Sequence, residues 1–115
     1  MTTQDLLTQL AESPASVQFS DVITTIDTNY DFTPTAFTNG GTRNDAGQNN
    51  GSCKIFAFAK LHGLSEQRTL ACFGDYYRID VLGNPEGADH ANIRNFIANG
   101  WRRVAFDGVA LIERK

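Results

Sequence analysis

One cysteine stands where a reactive thiol could form. Cys53 follows a Gly- and Asn-rich stretch and opens an apolar segment that predicts a helix, so it would lie in the first helical turn. Free backbone N–H groups and the helix dipole favour a thiolate there. In cysteine hydrolases the thiolate attacks a carbonyl group, a histidine moves the proton, and an upstream glutamine helps to hold the oxyanion. Cys53 is therefore a candidate nucleophile, with His62 or His90 as the base and Gln48 upstream.

The surroundings of this cysteine favour a different interpretation. Gly51-Ser52-Cys53 is similar to the Gly-Ser-Cys segment of papain-like hydrolases, but Lys54 replaces an expected aromatic residue and the chain is short for that fold. His62 would lie on the same helix, about 13 Å farther along its axis, and could act as the base only if the helix breaks. A buried, structural Cys53 is the favoured alternative. The sequence therefore supports no definite catalytic residue, and Cys53 and His90 remain the two candidates.

Several polar side chains could instead bind a small ligand. They carry amide, carboxylate or imidazole groups, which hydrogen-bond polar molecules. The candidate ligand-binding residues are Asn49, Asn50, Asp75, His90 and Asn92. A binding site requires that the fold gather them around one concave surface. Alternatively, these residues lie on solvated helix faces and form local ion pairs, as the three-residue spacing of Asp75 and Arg78 suggests.

The sequence lacks the spacing of the common metal and phosphate sites. Structural zinc is held by pairs of Cys or His a few residues apart, and no Cys-x-x-Cys, His-x-x-x-His or His-Glu pair occurs. The loop that precedes Cys53 is rich in glycine, but it matches neither Gly-x-x-x-x-Gly-Lys-Ser/Thr nor Gly-x-Gly-x-x-Gly. No metal and no cofactor are expected.

Charge and composition restrict the partners and the compartment. The formal charge is −3, and residues 1–50 carry six acidic residues against one basic residue, so the basic face of a nucleic-acid-binding protein is missing. No apolar run approaches a membrane span, and no secretory signal opens the chain. Two cysteines are too few for a disulfide framework. We expect a cytoplasmic protein with a protein or small-molecule partner and without nucleic-acid or membrane partners.

Apolar periodicity predicts five helices in one domain that spans residues 1–115. They begin near Asp5, Ser20, Ser52, Ser65 and Asp89, of which the last four are predicted N-caps. The third, Cys53–His62, is apolar around nearly its whole circumference, which is typical of a buried central helix. The fourth continues to Val81, and the fifth turns Ile93, Phe96 and Ile97 inward and ends at Gly100.

The remaining segments predict a small amount of sheet. Tyr30–Thr38 alternates polar and apolar residues, but Pro34 limits it to an edge strand or an irregular segment. Asn39–Ser52 is predicted to be a long loop. The Asp107-Gly108 pair within Arg103–Ile112 is typical of a hairpin, which would lie on the helices or pair with Tyr30–Thr38. The fold class is therefore α+β, mostly α, with about five helices around a central helix and a small C-terminal β-hairpin or sheet.

Six blocks of sequence resemble a known family in the same order. They are Tyr30-Asp-Phe-Thr-Pro-Thr-Ala-Phe37, Ala-Gly-Gln-Asn-Asn-Gly-Ser-Cys at 46–53, Phe56-Ala-Phe-Ala59, Leu61-His-Gly-Leu-Ser65, Thr69-Leu-Ala-Cys-Phe-Gly-Asp-Tyr-Tyr-Arg78 and Asp89-His-Ala-Asn-Ile-Arg-Asn-Phe96. Together they resemble the HopJ type III effector family, and the resemblance extends over nearly the whole chain, roughly from Leu6 to Leu111.

This resemblance implies a bacterial protein, and the family name associates it with delivery into a host cell by a type III secretion system. It brings no biochemical activity and no catalytic residues. The function that it favours is non-enzymatic binding or interaction, in the cytoplasm or after export. A small cysteine-dependent hydrolase that uses Cys53 is the alternative.

Overall fold

The computed structural model describes residues 1–114, which form five α-helices, one π-helix and five short strands. The α-helices are α1 (Thr3–Glu12), α2 (Phe19–Asn29), α3 (Asn50–Leu61), α4 (Glu66–Ala71) and α5 (Ala91–Asn99), and the π-helix is Tyr76–Val81. The strands are β1 (Tyr30–Phe32), β2 (Phe37–Asn39), β3 (Thr42–Asn44), β4 (Val104–Phe106) and β5 (Leu111–Glu113). Short 3-10 turns occupy Pro14–Ser16 and Trp101–Arg103. This is the predicted fold class, α+β and mostly α.

Two of the helix starts follow side-chain caps. Thr2 and Asp5 form a capping box on α1, each side chain bonding the other's backbone N–H. Ser65 accepts the N–H of Arg68 and caps α4, as predicted. Side chains of this kind satisfy N–H groups that have no partner inside the helix.

The predicted caps Ser20, Ser52 and Asp89 are wrong. The helix α2 begins at Phe19 after Gln18, α3 begins at Asn50, and α5 begins at Ala91. Serine and aspartate favour caps only when the backbone is extended at that point. Residues with a left-handed backbone, Asn49 and His90, precede α3 and α5 instead. The Asp89 carboxylate caps no helix and accepts a hydrogen bond from the guanidinium of Arg94 at 2.5 Å.

The predicted fourth helix is divided in two at a glycine. After α4 the chain turns at Gly74, which has φ +59°, and the π-helix follows. A Cβ atom at Gly74 would lie 2.7 Å from the backbone nitrogen of Phe19, so this turn packs directly on the start of α2. A π-helix is rare and is frequently found at functional sites.

The strands of the C-terminal segment do not pair with each other. β4 pairs antiparallel with β2, and β5 pairs antiparallel with β1, so the Asp107-Gly108 turn closes no hairpin. The pairing is instead with the Tyr30–Thr38 region, which was the other predicted arrangement. β3 extends the second sheet in the order β3-β2-β4, so the predicted Asn39–Ser52 loop contains a β-hairpin.

The two small sheets share one continuous register. Phe32 faces Leu111 in one sheet, and Phe37 faces Phe106 in the other. Between them the Thr33 N–H donates to the carbonyl of Ala110, and the Asp107 N–H donates to that of Ala36. The pairing register is therefore the same in both sheets, with no extra residue in either strand. Pro34 has no N–H to donate, and the ladder opens around it.

The helix α3 is the centre of the core, as predicted. Its Phe56 and Phe58 side chains are fully buried. The ring of Phe56 packs against four other aromatic rings, those of Phe37, Phe73, Phe96 and Trp101. The fifth helix buries Ile93 and Phe96, but Ile97 is exposed, contrary to the prediction.

The end of α5 follows the prediction in part. Gly100 has φ +67°, its N–H donates to the carbonyl of Phe96 at 2.8 Å, and the Trp101 ring packs edge-on against Phe96 at 5.1 Å. The Gly100 bond is a single i to i−4 bond, and neither of the two bonds that define a Schellman motif is found within residues 1–114, since the Trp101 N–H donates to the Glu66 carboxylate instead. No helix within residues 1–114 has the length and apolarity to cross a lipid bilayer.

Candidate functional site

A cleft of about 450 Å³ opens where the starts of α3 and α5 meet the π-helix. Its polar side chains are Thr42, Asn44, Asn49, Ser52, His90 and Asn92. Its aromatic side chains are Phe19, Phe73 and Tyr76. A concave surface with apolar walls and a few placed polar groups is typical of small-molecule sites.

Three of the predicted ligand-binding residues line this cleft. Asn49 lies at the start of α3, while His90 and Asn92 lie at the start of α5. Asp75 lines a neighbouring depression of about 300 Å³ that shares Phe19 and Tyr76 with the cleft. Asn50 is exposed and lies outside the cleft lining.

A network of asparagine amides forms the floor of the cleft. Nδ2 of Asn44 donates to Oδ1 of Asn92 at 3.2 Å, and Nδ2 of Asn92 donates back to Oδ1 of Asn44 at 3.0 Å. Asn49 donates to Asn44 at 2.7 Å, and Asn39 donates to the backbone carbonyl of Asn92 at 2.8 Å. Asn39, Asn44 and Asn92 are buried, so this network joins β2, β3 and α5 inside the protein.

An aromatic wall stands beside the amides. The Tyr76 ring meets Phe19 edge-on at 5.0 Å and His90 at 5.1 Å between ring centroids. Tyr76 is nevertheless 44% exposed, which is unusual for a ring with two aromatic neighbours. Its position in the first turn of the π-helix directs it to the cleft.

Acidic residues hold His90 in place. Its Nε2 lies 3.0 Å from the Asp80 carboxylate and 3.8 Å from that of Asp89. The hydrogen bond from Arg94 lowers the pKa of Asp89, and the charges of Arg94 and His90 act in the same direction. The imidazole is therefore oriented by charged neighbours at the mouth of the cleft.

Asn49 and His90 share a backbone conformation that few residues adopt. Both have φ +51°, and within residues 1–114 no other residue except glycine has a positive φ. Each comes directly before a helix, α3 or α5, and each lines the cleft. Left-handed conformations of this kind cost free energy and cluster at functional sites.

The candidate nucleophile Cys53 lies outside this cleft. Its side chain is buried, and its Sγ atom is 3.5 Å from the carbonyl oxygen of Thr35. Burial raises the pKa of the thiol, while the Thr35 contact and the charge of Lys54 oppose the rise. Cys53 also lies in the fourth position of α3, where its N–H already donates to Asn49. The surroundings therefore favour the neutral thiol.

Neither histidine is placed beside this thiol. Nε2 of His62 is 2.5 Å from the hydroxyl of Tyr30, and His90 is held at the cleft by Asp80. Burial lowers the pKa of His62 and raises that of Tyr30, so we assign Tyr30 as donor and neutral His62 as acceptor. Among residues 1–114, no cluster of three or more His, Cys, Asp or Glu side chains could hold a metal ion.

Sequence reasoning missed several residues of this site. Asn39 and Asn44 were predicted as parts of a loop, and neither Phe19 nor Asp80 was singled out. The one signal for the network was the density of asparagine in two distant segments. Nothing in the spacing shows that β3 brings Asn44 against Asn92.

Comparison with known proteins agrees with the sequence blocks. Among curated proteins, none is significantly similar. A crystal structure of the unknown-function protein VPA0580 is 54% identical and superposes with a TM-score of 0.98, covering 99% of this chain and 95% of that chain. The model of the family described as "HopJ type III effector protein" matches residues 3–111. This match spans nearly the full length, and the chain therefore belongs to the HopJ type III effector protein family.

Proposed function

We propose that this protein is a non-enzymatic binding protein, a single domain over residues 1–115, and that its cleft holds a small polar ligand with a flat ring. The observation that carries the proposal is the pair of left-handed residues, Asn49 and His90, which face one cleft at the starts of two helices. Strain of this kind persists only where the surrounding structure holds it in place.

The chemistry of the lining selects the ligand class. The Tyr76 side chain is 44% exposed and lines the cleft, so its ring is available for contact with an aromatic ligand. The amide of Asn49 and the hydroxyl of Ser52 offer hydrogen bonds at the cleft. Among residues 1–114, no Lys or Arg lines the cleft, so a neutral ring compound with hydroxyl or amide groups fits better than a multiply charged one.

Saturation-transfer NMR with defined probes tests this proposal. The probes are a set of monosaccharides, a set of nucleosides and a set of free aromatic amino acids, each measured against the intact protein. We expect signal transfer to one set, with affinity at least tenfold weaker in Tyr76→Ala and in Asn49→Gly. Leu61→Ala, at an exposed position of α3, serves as the control. Transfer to no set, or binding that both variants leave unchanged, would contradict the proposal.

The alternative, a hydrolase that uses Cys53, is less well supported. Its thiol is buried with a raised pKa, and neither histidine is among its hydrogen-bond partners. A nucleophilic cysteine needs access to substrate and a favoured thiolate.

We also infer that the protein resides in the cytoplasm of a bacterium and that export to a host cell is the second location to test. The support for export is the description of its family. A reporter fusion to the full chain should enter host cells from a strain with a working type III apparatus and fail to do so from a strain without one. Equal signals from both strains would argue against export and leave the cytoplasm as the only proposed location.

A further inference from the structure

A second groove lies on a different part of the surface, between α1, α4 and the π-helix. Its volume is about 450 Å³, and its walls are largely apolar. Leu10, Ala11 and Pro14 come from one side, Ala71 comes from α4, and Leu82 comes from the residue that follows the π-helix. This groove shares no lining residue with the cleft described above.

The groove continues into a smaller depression. Val81, Pro85 and Ile97 line this second space of about 220 Å³, and Leu82 lines both spaces. Leu82 is 54% exposed and Ile97 is 47% exposed, although both are large apolar side chains. Apolar side chains grouped in this way mark interaction surfaces more often than ordinary solvated surface.

Every charged residue that lines the two spaces is an arginine. They are Arg68, Arg78 and Arg94, and neither lining contains Asp or Glu, although the chain has a net charge of −3. Arg78 bonds the Val17 carbonyl and lies 3.8 Å from the Asp75 carboxylate, and Arg94 bonds the Asp89 carboxylate. Arg68 has no carboxylate within 4.0 Å among the residues that the structure describes. The surface is therefore apolar at its base and positive at its edge.

We propose that this surface binds an amphipathic acidic helix of a partner protein. Two adjoining spaces separated by one side chain fit two apolar anchors on successive turns of a helix. An acidic residue beside these anchors would pair with Arg68. A single alkyl chain would instead need a channel that Leu82 does not interrupt.

A second copy of this chain is a poorer occupant. The amphipathic helices of residues 1–114 already bury their apolar faces in their own core, with Leu6 and Leu10 of α1 and Val22 and Ile26 of α2 among the buried residues. Neither α1 nor α2 is therefore left to insert into a neighbour's groove. The occupant therefore comes from another protein.

A display library of 16-residue helical peptides, randomised on one face, tests the proposal. Selection uses the intact protein, with counter-selection against its Leu82→Glu variant. We expect enriched peptides with apolar residues spaced three or four apart and Asp or Glu beside them. Their affinity, measured by fluorescence anisotropy, should fall at least tenfold in both Leu82→Ala and Arg68→Glu. Ile112→Ala, an exposed apolar residue on β5, is the matched control and should change affinity less than twofold.

Three results would overturn the proposal. The first is that no peptide is enriched. The second is that enriched peptides lack acidic residues or bind Leu82→Ala and Arg68→Glu as well as the original protein, with unfolding temperatures confirming that both variants fold. The third is a concentration-dependent dimer in sedimentation that Leu82→Glu abolishes, since this would assign the surface to self-association.

Discussion

Asn44 and Asn92 exchange two side-chain hydrogen bonds across the protein interior, each amide donating to the other's carbonyl oxygen. One lies at the end of β3 and the other in the first turn of α5. The pair fixes the distance between two elements that line the same cleft. Because both side chains are buried, loss of either one leaves the polar atoms of the other without these bonds.

We expect Asn92→Ala to destabilise the protein by about 1–3 kcal/mol, because the buried amide of Asn44 loses both bonds to that side chain. Urea unfolding measures the change. Asn50→Ala removes the same groups at an exposed position and should change the free energy of unfolding by less than about 0.5 kcal/mol. Equal effects of the two substitutions would show that the network adds no stability.

Phe56→Ala should reduce the free energy of unfolding by about 3–5 kcal/mol, since it leaves a cavity among four aromatic rings. Leu61→Ala, on the same helix but half exposed, is the comparison and should cost much less. Denaturant titration of both variants provides the measurement. A small effect at Phe56 would argue against α3 as the centre of the core.

Two glycines allow the cost of backbone conformation to be separated from that of close packing. Gly63 and Gly74 have φ +61° and +59°, but an added Cβ has nothing within 4 Å at Gly63 and lies 2.7 Å from the Phe19 nitrogen at Gly74. Gly63→Ala should therefore cost about 1–2 kcal/mol from conformation alone. Gly74→Ala should cost about 1–3 kcal/mol more, because the backbone of α2 must shift. Thermal unfolding of the two variants compares them directly, and equal costs would contradict the close packing.

The pKa of His62 is expected to lie below the ordinary value of 6.5, chiefly because burial disfavours its charged form. The unfolded chain then binds more protons than the folded one as the pH falls from about 6.5 towards the folded pKa. The contribution of His62 to stability is thus complete above this range and is lost as the pH falls through it. An NMR titration of the His62 ring protons measures this pKa, and a value above 6.5 would refute the expectation.

Both cysteines should resist alkylation in the folded protein. Burial raises the pKa of Cys72 to about 12 and also raises that of Cys53, and both thiols are free. Iodoacetamide at neutral pH should label them slowly, and rapidly once urea is added. Fast labelling of Cys53 without denaturant would restore the case for a cysteine-dependent hydrolase.

The sequence was sufficient for features that depend on local chemistry. Three such features are present: the buried helix α3, the Ser65 cap and the positive φ of Gly100. Each follows from residues that lie near one another in the chain. The break at Gly74 was missed because the apolar spacing continues across it. Only the proximity of Phe19, distant in sequence, shows why a glycine is needed there.

The candidate site was predictable in its residue types but not in its geometry. Asn49, His90 and Asn92 could be selected because their amide and imidazole groups can hydrogen-bond a polar ligand, and all three line the cleft. Their partners Asn39 and Asn44 lie on a hairpin inside a segment that resembles an ordinary loop. Long-range pairing of short strands leaves little trace in local sequence, so the position of Asn44 could not be inferred.

The shared register of the two sheets has a consequence for how the chain folds. The strands β1 and β2 pair with β5 and β4 near the end of the chain, with the helices from α3 to α5 between them, although β2 also pairs with the nearby β3. Helices can form from neighbouring residues, but this ladder must close a very long loop, which slows folding relative to a helical bundle. During synthesis the early helices emerge from the ribosome well before their sheet can be completed. Until the last strands emerge, the chain remains open, and in this state it is accessible to chaperones and proteases.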